Sequence, residues 1–323
     1  MNYKSFFLLF AVKGSLLLSQ KVKVGIWERF DVNSLPKNSV YINTKESINA
    51  KDDDGNGYVD DIHGISFNEF EKLVPETFVA NEGNQEDYDH GTAIASVILQ
   101  QNPNVELYGA GFVYTTERLE KSGLLQLSVE ERIKQLPHEL ERMDQFIQQS
   151  IDYFSKNKIQ LVNISFGQTL EGIIEKNPNF GKNLEERTQN SQKWTNSFKN
   201  SLEKNFKKHP EITFVVACGN DGKNIETSQD VPANIVLSNV IVVGGLDKDL
   251  KQRADFSNEG KNIDVYAPSE DIAVTMALNK KETVSGVSVA APYITGKLSK
   301  LIVKNKVNKQ NVKKILEKET SEH

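Results

Sequence analysis

Apolar residues recur along this chain with two different periods. Val22-Lys23-Val24-Gly25-Ile26-Trp27 reads as a short strand, and Val105–Gly109 as another. Ile159–Phe166 (IQLVNISF), Ile212–Cys218 (ITFVVAC) and Val240–Val243 (VIVV) are near-continuous apolar runs rich in branched residues. Such runs suit the strands of a parallel sheet covered on both faces. Between them the period becomes helical. Met143, Phe146, Ile147, Ile151 and Phe154 form one apolar stripe, and Trp194, Phe198, Leu202 and Phe206 step by four in a second. Thr92–Gln100 reads as a helix that begins just after His90, and Val289–Val303 as a later one with Pro292 early in it. A last, polar helix is expected near Gln310–Lys318.

Strands alternating with helices predict an α/β fold, a doubly wound and mostly parallel sheet flanked by helices. In such sheets ligands gather beyond the C-terminal ends of the strands. No Pro/Gly/Ser-rich linker divides the chain, so residues 21–323 read as a single domain. The stretches 100–121 and 168–193 read as surface insertions.

Composition narrows the function classes. The 323 residues are 38% hydrophobic and 26% charged, ordinary globular usage. The net charge is −5 and no basic block appears, which speaks against a nucleic-acid partner. Cys218 is the only cysteine, so no internal disulfide can form. In residues 1–20, Lys4 precedes the apolar run Phe6–Val12, and Lys13 interrupts it. The layout is that of a signal peptide, implying a secreted or periplasmic protein. With a central charge and so little length, it is a poor transmembrane span.

Three short motifs carry candidate chemistry. In Asp89-His90-Gly91-Thr92, a histidine at a loop-to-helix junction has the pKa for proton transfer near neutrality, though a lone histidine is more often structural. In Ser285-Gly286-Val287-Ser288-Val289-Ala290-Ala291-Pro292, Ser288 sits at a helix start among small residues. There it is either a nucleophile beside the positive end of the helix dipole or simply an N-cap. In Val216-Ala217-Cys218-Gly219-Asn220-Asp221-Gly222, the Asn220 amide can donate to an anion, or serve only the turn.

Together and in this order, the motifs DHGT, AxGNDG and SGxSxAAP closely resemble the subtilase (S8) family. Asn163-Ile164-Ser165-Phe166-Gly167 matches the family's strand ending in S-x-G. Ala254–Asn258 and Asp264–Pro268 are similar to two further stretches that lead to the nucleophile, and the resemblance runs from about Val22 to Val303. It implies a serine endopeptidase acting on polypeptide. Ser288 would attack the scissile carbonyl, His90 would take its proton, and Asn220 would stabilise the oxyanion. Ser165, Phe166 and Gly167 would line the cleft where an extended substrate pairs its backbone. The sequence departs from the family in three places. Glu28 stands where the catalytic aspartate is expected, followed by Arg29 and Phe30 instead of small residues, with Asp31 as a second acid just beyond. Val287 replaces the usual threonine before the nucleophile. No propeptide-sized stretch separates residues 1–20 from the first strand. The alternative reading is a pseudoprotease that binds peptide or a protein partner without cutting it.

The segment Asp52–Asp61 (DDDGNGYVDD) contains D-x-D-x-N-G-x-x-D. Oxygen ligands at alternate positions around a glycine turn match the start of a calcium loop. Asp52, Asp54 and Asn56 would ligate by side chain, Tyr58 by its carbonyl, and Asp60 through water. The twelfth position is His63, so this is not an EF-hand, and similar stretches occur in many subtilases. Calcium would be structural; no cofactor is expected for the chemistry.

Overall fold

In the computed structural model, the described residues are 21–113, 115–302 and 307–321. The expected signal peptide, residues 1–20, lies outside them. Eight strands form one sheet, in the order β3-β2-β4-β1-β5-β6-β7-β8. They are β1 (Val22–Ile26), β2 (Gly64–Phe67), β3 (Leu73–Val74), β4 (Val105–Gly111), β5 (Leu161–Ile164), β6 (Thr213–Ala217), β7 (Val240–Leu246) and β8 (Val265–Pro268). Every neighbouring pair is parallel except β2–β3. The doubly wound, mostly parallel sheet expected from the apolar runs is therefore present. Strands β5 and β6 are buried at every position, as continuous apolar runs require.

Besides the short α2 (Thr115–Lys121) and α4 (Leu170–Lys176) and the last helix α7 (Val312–Ser321), two helix layers cover the sheet. The first contains α1 (Glu86–Gln101) and α6 (Val287–Leu301). These helices approach so closely that a Cβ on Gly296 would lie 2.7 Å from the Ile98 carbonyl oxygen. Asn102 at the end of α1 donates to Ser299 Oγ at 2.8 Å. The second layer contains α3 (Val129–Lys156) and α5 (Leu184–Lys208). Phe154 of α3 lies against Gly25 of β1, and Phe206 of α5 stacks on Phe214 of β6 with ring centroids 4.0 Å apart. Both expected stripes, Met143 to Phe154 and Trp194 to Phe206, are buried in this core. A two-stranded hairpin, β9 (Ile272–Thr275) and β10 (Lys281–Val284), packs Val274 against Ala93, Val97 and Val289. Among the described residues, no helix is long and apolar enough to cross a membrane.

Four boundaries or placements differ from the sequence reading. Helix α1 starts at Glu86, so His90 sits in its second turn instead of at a loop junction. The acidic residues Glu86, Asp87 and Asp89 look like loop composition but suit the positive end of the helix dipole. Helix α6 starts at Val287, which puts Ser288 inside its first turn. Residues 105–111 form buried strand β4, and Ile173 and Phe180 are buried too, so neither 100–121 nor 168–193 is a mere surface insertion.

The α1–α6 contact holds the two motif-bearing helices in one geometry. Gly296→Ala gains about 0.8–1 kcal/mol of helix propensity. The added methyl also overlaps a backbone oxygen, and such overpacking costs about 1–3 kcal/mol. The expected net effect is destabilisation, read as a lower urea midpoint; an unchanged or higher midpoint would show that the helices separate freely.

Candidate active site

The chain leaves β1 and passes directly under α1. Gly91 has no side chain, and a Cβ there would stand 1.9 Å from the Arg29 carbonyl oxygen. This backbone approach sets Glu28 behind the imidazole: its Oε2 lies 2.6 Å from His90 Nδ1. Glu28 is 3% exposed, whereas the His90 side chain, at 39%, reaches the surface. The extra methylene relative to aspartate is thus taken up without breaking the contact. Arg29 turns away, its Nη1 3.6 Å from Asp87 Oδ2 and its guanidinium 5.5 Å from the Tyr88 ring centroid. Phe30 is fully buried, its ring centroid 5.3 Å from that of Phe78. Asp31, the second acid read from sequence, does a different job. Its carboxylate accepts hydrogen bonds from Asn33 N, Ser34 Oγ, Ala80 N and Leu278 N, and so stitches loops together.

With Nδ1 donating to a carboxylate, the neutral ring carries its proton there and its basic nitrogen is Nε2. Burial alone would lower the proton affinity of His90, but the Glu28 charge and hydrogen bond outweigh it and raise the pKa above the ordinary imidazole value.

Ser288 is positioned from three sides. Gly286 precedes the helix at φ 152°, a conformation that favours glycine. Ser165 Oγ donates to Ser288 O at 3.0 Å, while Ser288 Oγ donates to Ser165 O at 3.3 Å. Asn163 Nδ2 donates to Ser165 Oγ, and Thr295 Oγ1 donates to Asn163 Oδ1, tying β5 to α6. Asn220 follows β6, and its Oδ1 accepts from Val287 N at 2.9 Å. That bond fixes the amide, so Nδ2 is the end left to donate. Ser288 N lies in the first helical turn, where backbone N–H groups lack an intrahelical acceptor. Both donors border one point: a Cβ built on Gly286 would be 3.6 Å from Asn220 Nδ2 and 3.9 Å from Ser288 N. Val287 is 1% exposed, so its side chain belongs to the core.

His90, Ser165, Phe166, Gly167, Asn220 and Ser288 all line a single cleft of about 700 Å³. Glu28 stands behind it. The cleft opens beyond the ends of β1, β5 and β6, at the point where the strand order reverses about β1. Sequence reasoning missed Asp230, a buried acid in the same cleft, because it belongs to no motif. It also missed Thr116 and Glu171 on the rim.

A family model described as the subtilase family matches residues 40–321. The chain belongs to the subtilase family. In this subtilase the matched region begins beyond Glu28 and so does not include it. Over 93 residues the chain is 41% identical to "Subtilisin-like protease 2" of Pseudogymnoascus destructans, covering 28% of this chain and 22% of that protein. Over 88 residues it is 33% identical to the "Major intracellular serine protease" of Bacillus subtilis, covering 27% of each. The matches thus span about a quarter of these relatives' length. A solved lanthipeptide protease shares the fold, with TM-score 0.54 and 16% identity over 90% of this chain and 77% of that one.

The acidic loop folds around its own carboxylates. Asp52 accepts from the backbone N–H groups of Gly55, Asn56 and Gly57, and these bonds, that of Gly57 foremost, hold its carboxyl below the ordinary range. Oxygens of Glu46, Asp52 and Asp54 lie within 4.8 Å of one another. Asp60 turns instead to Asn49 N and Ala50 N, and Asn56 Oδ1 accepts from Tyr58 N. Glu46 was not in the expected ligand set, because it precedes the motif.

The imidazole should titrate as the Glu28 contact dictates. In NMR titrations the His90 pKa is expected above the usual imidazole value. On Glu28→Gln it should fall, since the charge that raises it is gone. A His90 pKa unmoved by Glu28→Gln would show that the carboxylate does not govern the ring.

Proposed function

We propose that this chain is a serine endopeptidase with Ser288 as nucleophile, His90 as general base and then acid, and Glu28 as the carboxylate that orients the imidazole. The 2.6 Å contact between Glu28 Oε2 and His90 Nδ1 carries the reading, because it supplies the acid that the aspartate-less motif left in doubt. Ser288 Oγ attacks the carbonyl of a peptide lying along Ser165, Phe166 and Gly167, and His90 Nε2 takes the proton. The tetrahedral oxyanion is held by Asn220 Nδ2 and Ser288 N–H, donors aimed at where charge develops. The protonated ring, stabilised by Glu28, passes the proton to the leaving amine, and water repeats the cycle on the acyl-enzyme. The same contact favours cutting over the pseudoprotease reading, which needs an imidazole without its acid.

Ser288→Ala should abolish peptide hydrolysis and fluorophosphonate labelling together. Glu28→Gln should lower turnover by roughly 10⁴-fold, since the amide favours the wrong imidazole tautomer. The base works only when neutral, so the acidic limb of kcat/KM should fall above the ordinary imidazole pKa. Full activity of Ser288→Ala would sink the assignment.

We further propose that the 43–61 loop holds a structural calcium ion, with carboxylates from Glu46, Asp52 and Asp54. Support comes from the convergence of these three and from their charge. Among the described residues, none of Glu46, Asp52, Asp53, Asp54, Asp60 or Asp61 forms an ion pair, although Lys156 lies against the loop and its Nζ donates to Asn56 O. Isothermal titration should show calcium binding that Asp54→Ala weakens at least about tenfold, as loss of one charged ligand does. Equal binding by both proteins would remove calcium from this loop. Secretion through residues 1–20 completes the reading, and N-terminal sequencing of the exported protein tests it.

A further inference from the structure

Between the nucleophile's two supporting strands the cleft descends to a carboxylate. Asp230 is 3% exposed, yet it lines the same cavity as Ser288, His90 and Asn220. It sits between two glycines. A Cβ on Gly167, after β5, would lie 2.9 Å from Asp230 Oδ1, and one on Gly219, after β6, would lie 2.4 Å from Oδ2. The slot is therefore walled by bare backbone and floored by an acid. Asn258 Nδ2 donates to Oδ2 at 2.9 Å and fixes the carboxylate. Oδ1 accepts no hydrogen bond among the described residues, and Asp230 forms no ion pair there. Of the two lysines that line the cleft, Lys176 and Lys223, the second is bonded to Glu171 on the rim.

The slot's place decides which substrate side chain enters it. Its Gly219 wall adjoins Asn220, the proposed oxyanion donor, and its β5 wall includes Ser165, whose carbonyl touches Ser288 Oγ. The side chain that reaches it is that of the residue whose carbonyl is attacked. We propose that Asp230 determines specificity, selecting lysine or arginine on the N-terminal side of the scissile bond. This rests on the peptidase reading above and adds the substrate class.

The electrostatics agree. Burial first, then the charge of Asp221, raise the Asp230 carboxyl to about 8 against the opposing bond from Asn258. An uncompensated buried charge is costly, and an incoming cation relieves that cost. The other groups facing it are the Cys218 thiol, which burial pushes up to about 11, and the rim charges Glu171, Glu175, Lys176 and Lys223. Binding of a basic side chain expels the Asp230 proton, so preference for it should strengthen as pH rises through the titration of Asp230.

The test uses peptide p-nitroanilides identical except for lysine, arginine, norleucine or phenylalanine before the scissile bond. The ratio of kcat/KM for lysine to that for norleucine cancels the His90 titration, which both share. That ratio should exceed about tenfold at pH near 8.5, and shrink toward pH 6. It should collapse in Asp230→Asn, and likewise in Asp230→Ser, which leaves a smaller side chain should the amide disturb folding. Equal or better cleavage after norleucine, or a ratio indifferent to both variants, would overturn the inference. The same peptides titrated into Ser288→Ala report the slot without catalysis. Tighter binding of the lysine peptide supports the assignment even if hydrolysis fails, and equal binding refutes it.

Discussion

A carboxylate can orient an imidazole only if the chain carrying it passes within hydrogen-bond reach, and here that passage is made by backbone touching backbone. Gly91 lies so close to the Arg29 carbonyl that no side chain fits between them. The end of β1 and the second turn of α1 are thereby held in register. Glu28 thereby reaches the imidazole at a position where the extra methylene would otherwise push the ring out of line. Displacements of about 1 Å at such a contact can cost 10²-fold in rate. Arg29 is kept from competing because Asp87 and Tyr88 engage it.

The other half of the site hangs on the same two-helix layer. α6 carries Ser288, α1 carries His90, and Gly296 lets the helices meet without an intervening side chain. Asn163 and Thr295 then lock α6 to β5, while Asn220 locks its first turn to β6. The groups of the proposed mechanism, His90, Ser288 and the Asn220 amide, are thus held by helices α1 and α6 and by short polar links to them. Such preorganisation lets donors act on a developing charge without being reorganised first.

Much of this was legible in the sequence. The apolar runs of β5, β6 and β7 announce a doubly covered parallel sheet, and the stripes on α3 and α5 announce its cover. His90, Ser288, Asn220 and Ser165–Gly167 were found by motif, and the structure brings them to one cleft. Helix starts were less legible. Asp87 and Asp89 read as loop because aspartate disfavours helix interiors, yet at a helix N-terminus the dipole rewards it. Glu46 and Asp230 were invisible for another reason. Their neighbours arrive from distant segments, and no local pattern records that Asn258 and two glycines will enclose an aspartate.

Glu28 and Asp230 show how one sheet edge gives two buried acids opposite tasks. Glu28 faces an imidazole that can become a cation, so its charge is compensated inside the protein and serves to hold a ring. Asp230 faces Asn258, bare backbone and another acid, Asp221. Among the described residues no group neutralises it, and its environment resists ionisation. A protein seldom buries such a group where plain packing would do, because the desolvation penalty exceeds what one amide hydrogen bond returns. What distinguishes its position is that it opens toward the reacting bond. The missing cation has a natural source in the substrate, and the cost of the empty slot becomes the means of choosing what fills it.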